Sequence, residues 1–208
     1  MLGVLCVLAC AGACAQDRPD GPVSPPPRNI LRHSISITGG AARPVTGDGL
    51  TRFWDTGPSG AVAFHLAVTR HLALGIALEA AQFRFDAAAF RSAFPAVEPQ
   101  IRHVLWMHVG VGARISLLPG MRTSPFLTGT VGVARMTEAL HRIIVNRERT
   151  TYYAVGGNTR LTLAAGAGVN MYFHRSLALE LEGRGAFIHN DPDLRLALSA
   201  RGGMRFLF

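Results

Sequence analysis

From Ile30 to the last residue, large apolar side chains recur at every second position, with small, polar or charged residues between them. A period of two is the signature of β-strands with two unlike faces. The pattern is plainest at 160–173. Leu161, Leu163, Ala165, Ala167, Val169, Met171 and Phe173 share one phase, and Arg160, Thr162, Ala164, Gly166, Gly168, Asn170 and Tyr172 the other. The next segment sets Leu177, Leu179, Leu181, Gly183, Gly185 and Phe187 against Ala178, Glu180, Glu182, Arg184 and Ala186. The final one sets Leu196, Leu198, Ala200, Gly202, Met204, Phe206 and Phe208 against Ser199, Arg201, Gly203 and Arg205. Earlier strands are predicted at about residues 30–40, 59–69, 72–84, 102–118 and 125–138, which makes eight in all.

The connections alternate in length. Short turns fall near Arg70-His71, Leu118 to Ser124 and His174-Arg175. Longer loops fall at Ala41 to Pro58, Phe85 to Ile101 and Glu138 to Gly157, with a short one at Asn190 to Leu194. Alternation of this kind predicts an up-and-down barrel with its short turns at the periplasmic end. Within the loops, Asp86 is a good N-cap for a helical turn running through Phe94. Residues Arg142 to Val145 and Thr150 to Val155 read as a projecting hairpin turning at Asn146 to Arg149.

The two phases differ in a way that decides which faces hydrocarbon. A soluble barrel of the lipocalin kind would turn its Leu-rich rows inward and show water a surface rich in charge and Thr. Here the second phase carries Gly75, Ala77, Ala81, Gly110, Gly112, Gly166 and Gly168. Small residues suit a narrow lumen, so the expected fold is all-β: a transmembrane antiparallel up-and-down β-barrel with its Leu rows against lipid.

The first fifteen residues, MLGVLCVLACAGACA, end in Ala13-Cys14-Ala15 and read as a cleaved signal peptide, although no Arg or Lys precedes the apolar run. Val7-Leu8-Ala9-Cys10 is a poor lipobox. Residues 16–29 hold Pro19, Pro22, Pro25, Pro26 and Pro27 and read as an extended periplasmic linker, leaving 30–208 as the barrel domain. Cys6, Cys10 and Cys14 all lie in the leader, so no disulfide or thiolate site is expected beyond it.

Charge narrows the partners. All 21 basic residues are Arg, for a net charge of +8, yet they are scattered singly and no basic run points to nucleic acid. Guanidinium groups pair carboxylates and phosphates in bidentate fashion, so acidic lipid is the expected neighbour. The eight His show no metal-ligand spacing, and the Gly110-Val111-Gly112 and Gly166-Ala167-Gly168 runs open no helix and lack a P-loop lysine. Neither metal nor cofactor is expected.

In a barrel this narrow, inward charges must pair. If the last two strands meet across 190–194, Glu180 falls opposite Arg205, with Glu182 diagonal to Arg201 and Arg205. Glu79, Arg114, Arg160 and Arg184 extend this expected plug, with His65 and His108 also inward. Among loop residues, Phe53, Trp54, Phe90, Phe94, Tyr152 and Tyr153, beside Arg52, Arg91, Arg147 and Arg149, are expected at the membrane interface or against lipopolysaccharide.

From Ile30 to Phe208 the chain resembles the small outer-membrane barrels, the OmpA-type or opacity-type eight-stranded domains. The resemblance is carried most specifically by the terminal Arg205-Phe206-Leu207-Phe208. It implies residence in the cell outer membrane, recognition of Phe206 and Phe208 by the barrel assembly machinery, and a structural or interaction role with loops displayed outside. Two other roles are open. Some eight-stranded barrels are lipid A deacylases with a His-x-Ser-Asn motif where this chain has His189-Asn190-Asp191, which leaves Ser199 as the alternative hydroxyl for His189. The other is a small-solute channel.

Overall fold

A computed structural model describes residues 33–46, 53–95, 97–98, 103–137, 139–145, 149–155, 159–189 and 196–208; the leader and linker expected at 1–29 lie outside these residues. In chain order the elements are β1 His33–Thr46, β2 Trp54–Asp55, β3 Gly57–Ala67, β4 Leu72–Phe85, α1 Ala87–Ala93 and β5 Val97–Glu98. They continue with β6 His103–Ser116, β7 Thr123–Met136, β8 Ala139–Val145, β9 Arg149–Val155, β10 Thr159–His174, β11 Leu177–Ile188 and β12 Leu196–Leu207.

The eight long strands form one closed antiparallel barrel in the order β1, β3, β4, β6, β7, β10, β11, β12, and β12 pairs back onto β1. The seam runs through Ile35 opposite Phe206 and Ile37 opposite Met204. It ends with His33 and Phe208 exchanging both backbone hydrogen bonds at 3.0 Å. Closure leaves no barrel strand with a bare edge, which a hydrocarbon environment would not tolerate.

One end of the barrel carries the short turns β3–β4, β6–β7 and β10–β11 with His33 and Phe208; the other carries the long connections. Two of these contain structure of their own. Asp86 Oδ1 accepts from the amides of Ala88 and Ala89 at 3.0 and 2.9 Å, so a side chain caps α1 where the first amides have no helical partner. Beyond the barrel, β8 and β9 pair as a hairpin, with β5 on the outer side of β8. The expected turn at 146–148 and the 190–194 loop lie outside the described residues.

The first strand is longer than its alternation suggested, running to Thr46 rather than about residue 40. Ala42 keeps the inward phase there and is buried. The ladder slips between Pro44 and Thr46, where proline offers no amide to its neighbour.

The barrel is inside out relative to a soluble protein. Ile37 on β1, Val62 and Leu66 on β3, Leu74, Ile76 and Leu78 on β4 and Val109 and Val111 on β6 point outward and are exposed. Leu127, Val131 and Val133 on β7, Leu161 and Leu163 on β10, Leu181 and Phe187 on β11 and Leu198 and Phe206 on β12 complete the belt. Ile76 and Val111 are each 58% accessible, while Glu79, Arg114 and Arg201 are sealed within. Every barrel strand contributes, so the whole circumference is an apolar wall around an ionic centre. No globular surface in water is built this way; a bilayer-spanning barrel is.

Candidate functional site

Four lumen strands, β4, β6, β11 and β12, supply the Arg–Glu pairs, and their inward phases set the heights at which these meet. Arg201 on β12 donates from Nη1 to Glu79 Oε2 at 3.1 Å and from Nη2 to Glu182 Oε2 at 2.8 Å. Arg184 on β11 sits between the same two carboxylates, with Nη2 at 2.8 Å from Glu79 Oε1 and Nη1 at 3.7 Å from Glu182 Oε1. Glu79, Arg184, Glu182 and Arg201 therefore form a closed ring of alternating charge. Thr128 donates to Glu182 Oε1 at 2.9 Å, Thr130 accepts from Arg184, and His108 Nδ1 lies 3.4 Å from Glu79 Oε1.

A second cluster lies nearer the short turns. Arg114 on β6 donates to Glu180 Oε2 and to Asn170 Oδ1, both at 2.8 Å, and its guanidinium lies 3.5 Å from the centre of the Phe126 ring. Ser36 also donates to Glu180 Oε2, at 3.0 Å. Between the clusters a cavity of about 30 Å³ is lined by Ser36, His65, Glu180, Arg114 and Arg184 among others. That volume accommodates one or two water molecules and no larger solute.

The arrangement differs from the expected register by two residues. Glu182 stands directly opposite Arg201 and Glu180 opposite Gly203, while Arg205 is paired with Ala178. The connection between β11 and β12 determines this offset, and the alternation constrains only its parity. Arg205 is accordingly not opposite Glu180; its Nη2 donates to Ser34 Oγ at 2.9 Å. Arg160 is half-buried on the lumen side of β10 and joins none of these ion pairs. His65 and His108 both point inward.

Above the ionic layer the lumen changes character. Phe83, Phe85, Val104, Trp106, Met136 and Ile188 point inward from the outer ends of β4, β6, β7 and β11 and pack with Phe53 and Trp54. Phe90 of α1 seals this cluster, 4% exposed, with ring centroids 5.1 Å from Phe53 and 5.4 Å from Phe85. Trp106 also stacks on His108 with centroids 5.8 Å apart, so the apolar plug rests directly on the ion ring. Phe53, Trp54 and Phe90, expected at the membrane interface, are instead core residues of the plug. Phe94 alone of the described loop aromatics stays largely exposed; the side chains of Tyr152 and Tyr153 lie outside the described residues.

The phase inversion that builds the plug was present in the sequence. At these outer ends Arg43, Arg84, His103 and Arg135 take the outward positions while the large apolar residues turn in. The strands that carry the plug, β4, β6, β7 and β11, run 12–14 residues and exceed the roughly 9–11 needed to cross hydrocarbon. The surplus stands in water, where an ordinary soluble pattern returns.

The deacylase alternative placed His189 with Ser199. His189 follows β11, and Ser199 pairs with Arg184, five residues back along that strand. At about 3.3 Å per residue the two lie roughly 16 Å apart along the ladder, and the fold does not bring them together. Phe206 faces outward on the closing seam, and Phe208 ends it beside His33, with ring centroids 6.2 Å apart. Among the described residues no cluster of three or more His, Cys, Asp or Glu has the arrangement of a metal site.

No protein-family model matches this chain, and no curated protein matches it by sequence. Solved structures do. Neisserial surface protein A is similar over 85% of this chain and 97% of its own, with a TM-score of 0.52 at 12% identity. OprG of Pseudomonas aeruginosa covers 86% and 96% with a TM-score of 0.52 at 9% identity. Ail, the attachment invasion locus protein of Yersinia pestis, covers 85% and 99% with a TM-score of 0.50 at 13% identity. The fold is thus that of the small eight-stranded outer-membrane barrels, in agreement with the apolar belt and sealed ionic lumen described above.

Proposed function

We propose that this protein is an outer-membrane scaffold which holds loops at the cell surface above a barrel closed to solutes. The carrying observation is that the lumen is filled at two levels by unlike chemistry, an ion ring and, above it, a buried aromatic plug. A conducting path needs continuous polar lining. The plug interrupts that lining, and the polar part below it holds a cavity of only about 30 Å³. What the molecule offers a partner is consequently its outside. Helix α1 and the β5–β8–β9 sheet extend from the end with long connections, and Arg43, Arg84 and Arg135 point outward beneath them, at the level where lipopolysaccharide phosphates lie. Delivery to the membrane would use the barrel assembly machinery, with Phe206 and Phe208 on the closing strand as the recognised residues.

Two measurements test the reading together. Refolded protein in a planar bilayer should pass no steady current, and an epitope inserted between Val145 and Arg149 should be reached by antibody on intact cells. A stable ohmic conductance would replace the scaffold reading with a channel.

A further inference from the structure

The buried charges of the lumen do not sum to zero. Among the described residues four arginines, Arg114, Arg184, Arg201 and Arg205, are buried against three glutamates, Glu79, Glu180 and Glu182. Arg184 and Arg201 are matched by Glu79 and Glu182, and Arg114 by Glu180. Arg205 is left without a carboxylate, and a proton on His65 or His108 would only widen the surplus. Hydrocarbon around the wall offers no screening, so an uncompensated buried ion is costly and calls for a counter-charge inside the lumen.

Arg205 is 7% exposed. Its Nη2 donates to the neutral Ser34 Oγ at 2.9 Å, while Nε and Nη1 meet no acceptor of the protein. The ionisable groups that act on it electrostatically are Arg114, Glu180 and Tyr172, and Glu180 Oε2 is already engaged by Arg114 and Ser36. Arg114 also fixes its other neighbour. A guanidinium can only donate, so its bond to Asn170 Oδ1 turns the Asn170 Nδ2 group away from it. Asn170 stands directly opposite Ser124 of β7. Asn170 Nδ2 and Ser124 Oγ are both buried and, like the two Arg205 nitrogens, unmatched within the protein. The short-turn half of the lumen therefore gathers spare hydrogen-bond donors around a spare positive charge.

We propose that this half of the lumen binds one small monovalent anion of the halide class, held between the Arg205 and Arg114 guanidinium groups with Asn170 Nδ2 and Ser124 Oγ as further donors. The inference rests on the membrane-spanning reading and goes beyond it by assigning a ligand. Charge and size set the class. The surplus is a single charge. The void at this level, bordered by Arg114, Ser36, His65 and Glu180, measures about 30 Å³, the scale of water and halide and too small for phosphate or an organic carboxylate. Entry is from the short-turn mouth, because the aromatic plug closes the other end.

The test refolds the full chain in a non-ionic detergent with gluconate as the only anion and titrates in chloride at constant ionic strength. Equilibrium dialysis against radioactive chloride should show saturable binding of one ion per barrel, and the urea midpoint of the wild type should rise as chloride replaces gluconate. Arg205→Gln removes the surplus charge. It should bind no chloride, show a midpoint insensitive to chloride, and be at least as stable as the wild type in gluconate alone. Arg205→Lys keeps the charge but not the planar fork and should bind chloride more weakly. Absence of saturable binding to the folded wild type, equal binding by Arg205→Gln, or failure of Arg205→Gln to fold overturns the proposal. A wild type lacking the heat-modifiable gel shift of a folded barrel at every chloride concentration would instead defeat the membrane-spanning reading itself.

Discussion

Glu182 and Arg201 stand directly opposite each other on β11 and β12, and their side chains meet at 2.8 Å inside the barrel. The same Arg201 reaches Glu79 on β4, three strands away around the wall, so one guanidinium ties together strands that share no ladder. An ion ring of this type adds little net stability over an apolar filling of equal volume, but it penalises any slip that leaves a charge alone. We read it as a device that fixes register.

Breaking the ring on one side should therefore be expensive. Arg201→Met leaves Glu79 and Glu182 short of a partner and is expected to lower unfolding stability by about 3–5 kcal/mol. The double variant E182Q/R201M should lose less than the sum of the two single changes. Urea unfolding in detergent micelles, followed by tryptophan emission, measures both.

The belt has its own depth scale. Ile76→Arg, at an outward position in the middle of β4, should cost about 2–4 kcal/mol in a bilayer, whereas Arg84→Gln, eight residues further along the same face, should change stability little. Folding yield into vesicles across a urea series distinguishes them.

The plug predicts a different pair of effects. Phe90→Ala removes the ring that seals the aromatic cluster and should cost about 3–5 kcal/mol in local stability of the outer end. Asp86→Ala removes the α1 cap and should cost about 1 kcal/mol. Amide hydrogen exchange should accelerate in α1 in both variants, with the β11–β12 ladder unchanged.

Small residues are required at some lumen positions and incidental elsewhere. A side chain at Gly168 would run into the Phe126 ring and the Leu181 carbonyl, whereas one at Gly129 meets nothing within 4 Å. Gly168→Val should abolish the folded gel band, and Gly129→Ala should leave it intact.

Much of the architecture was legible from alternation alone, because a barrel wall repeats one physical rule on every strand. The eight strands, the Asp86 cap and the β8–β9 hairpin sit within a few residues of where the pattern places them, β1 excepted. The interior charges were legible as a set, since Glu79, Glu182, Arg184 and Arg201 could only pair in so narrow a space. Their partners were not. A two-residue offset across β11 and β12 preserves every face and every alternation, so Glu182 rather than Glu180 meets its arginine without any change of pattern. The plug escaped for another reason: Phe53, Trp54 and Phe90 lie in segments with no period at all, and only the inward turn of Phe83, Phe85, Val104 and Trp106 signalled that something apolar must cover them.

The central claim is that the Leu-rich phase touches hydrocarbon. With its three cysteines all at positions 6, 10 and 14, the chain admits clean single-cysteine probes in the barrel. Spin labels along Leu74 to Leu78, in vesicles, should show high collision rates with oxygen and low rates with a water-soluble nickel chelate at 74, 76 and 78, and low rates with both at 75 and 77. Oxygen accessibility peaking at 75 and 77, or strong nickel collisions at 74, 76 and 78, would contradict the account.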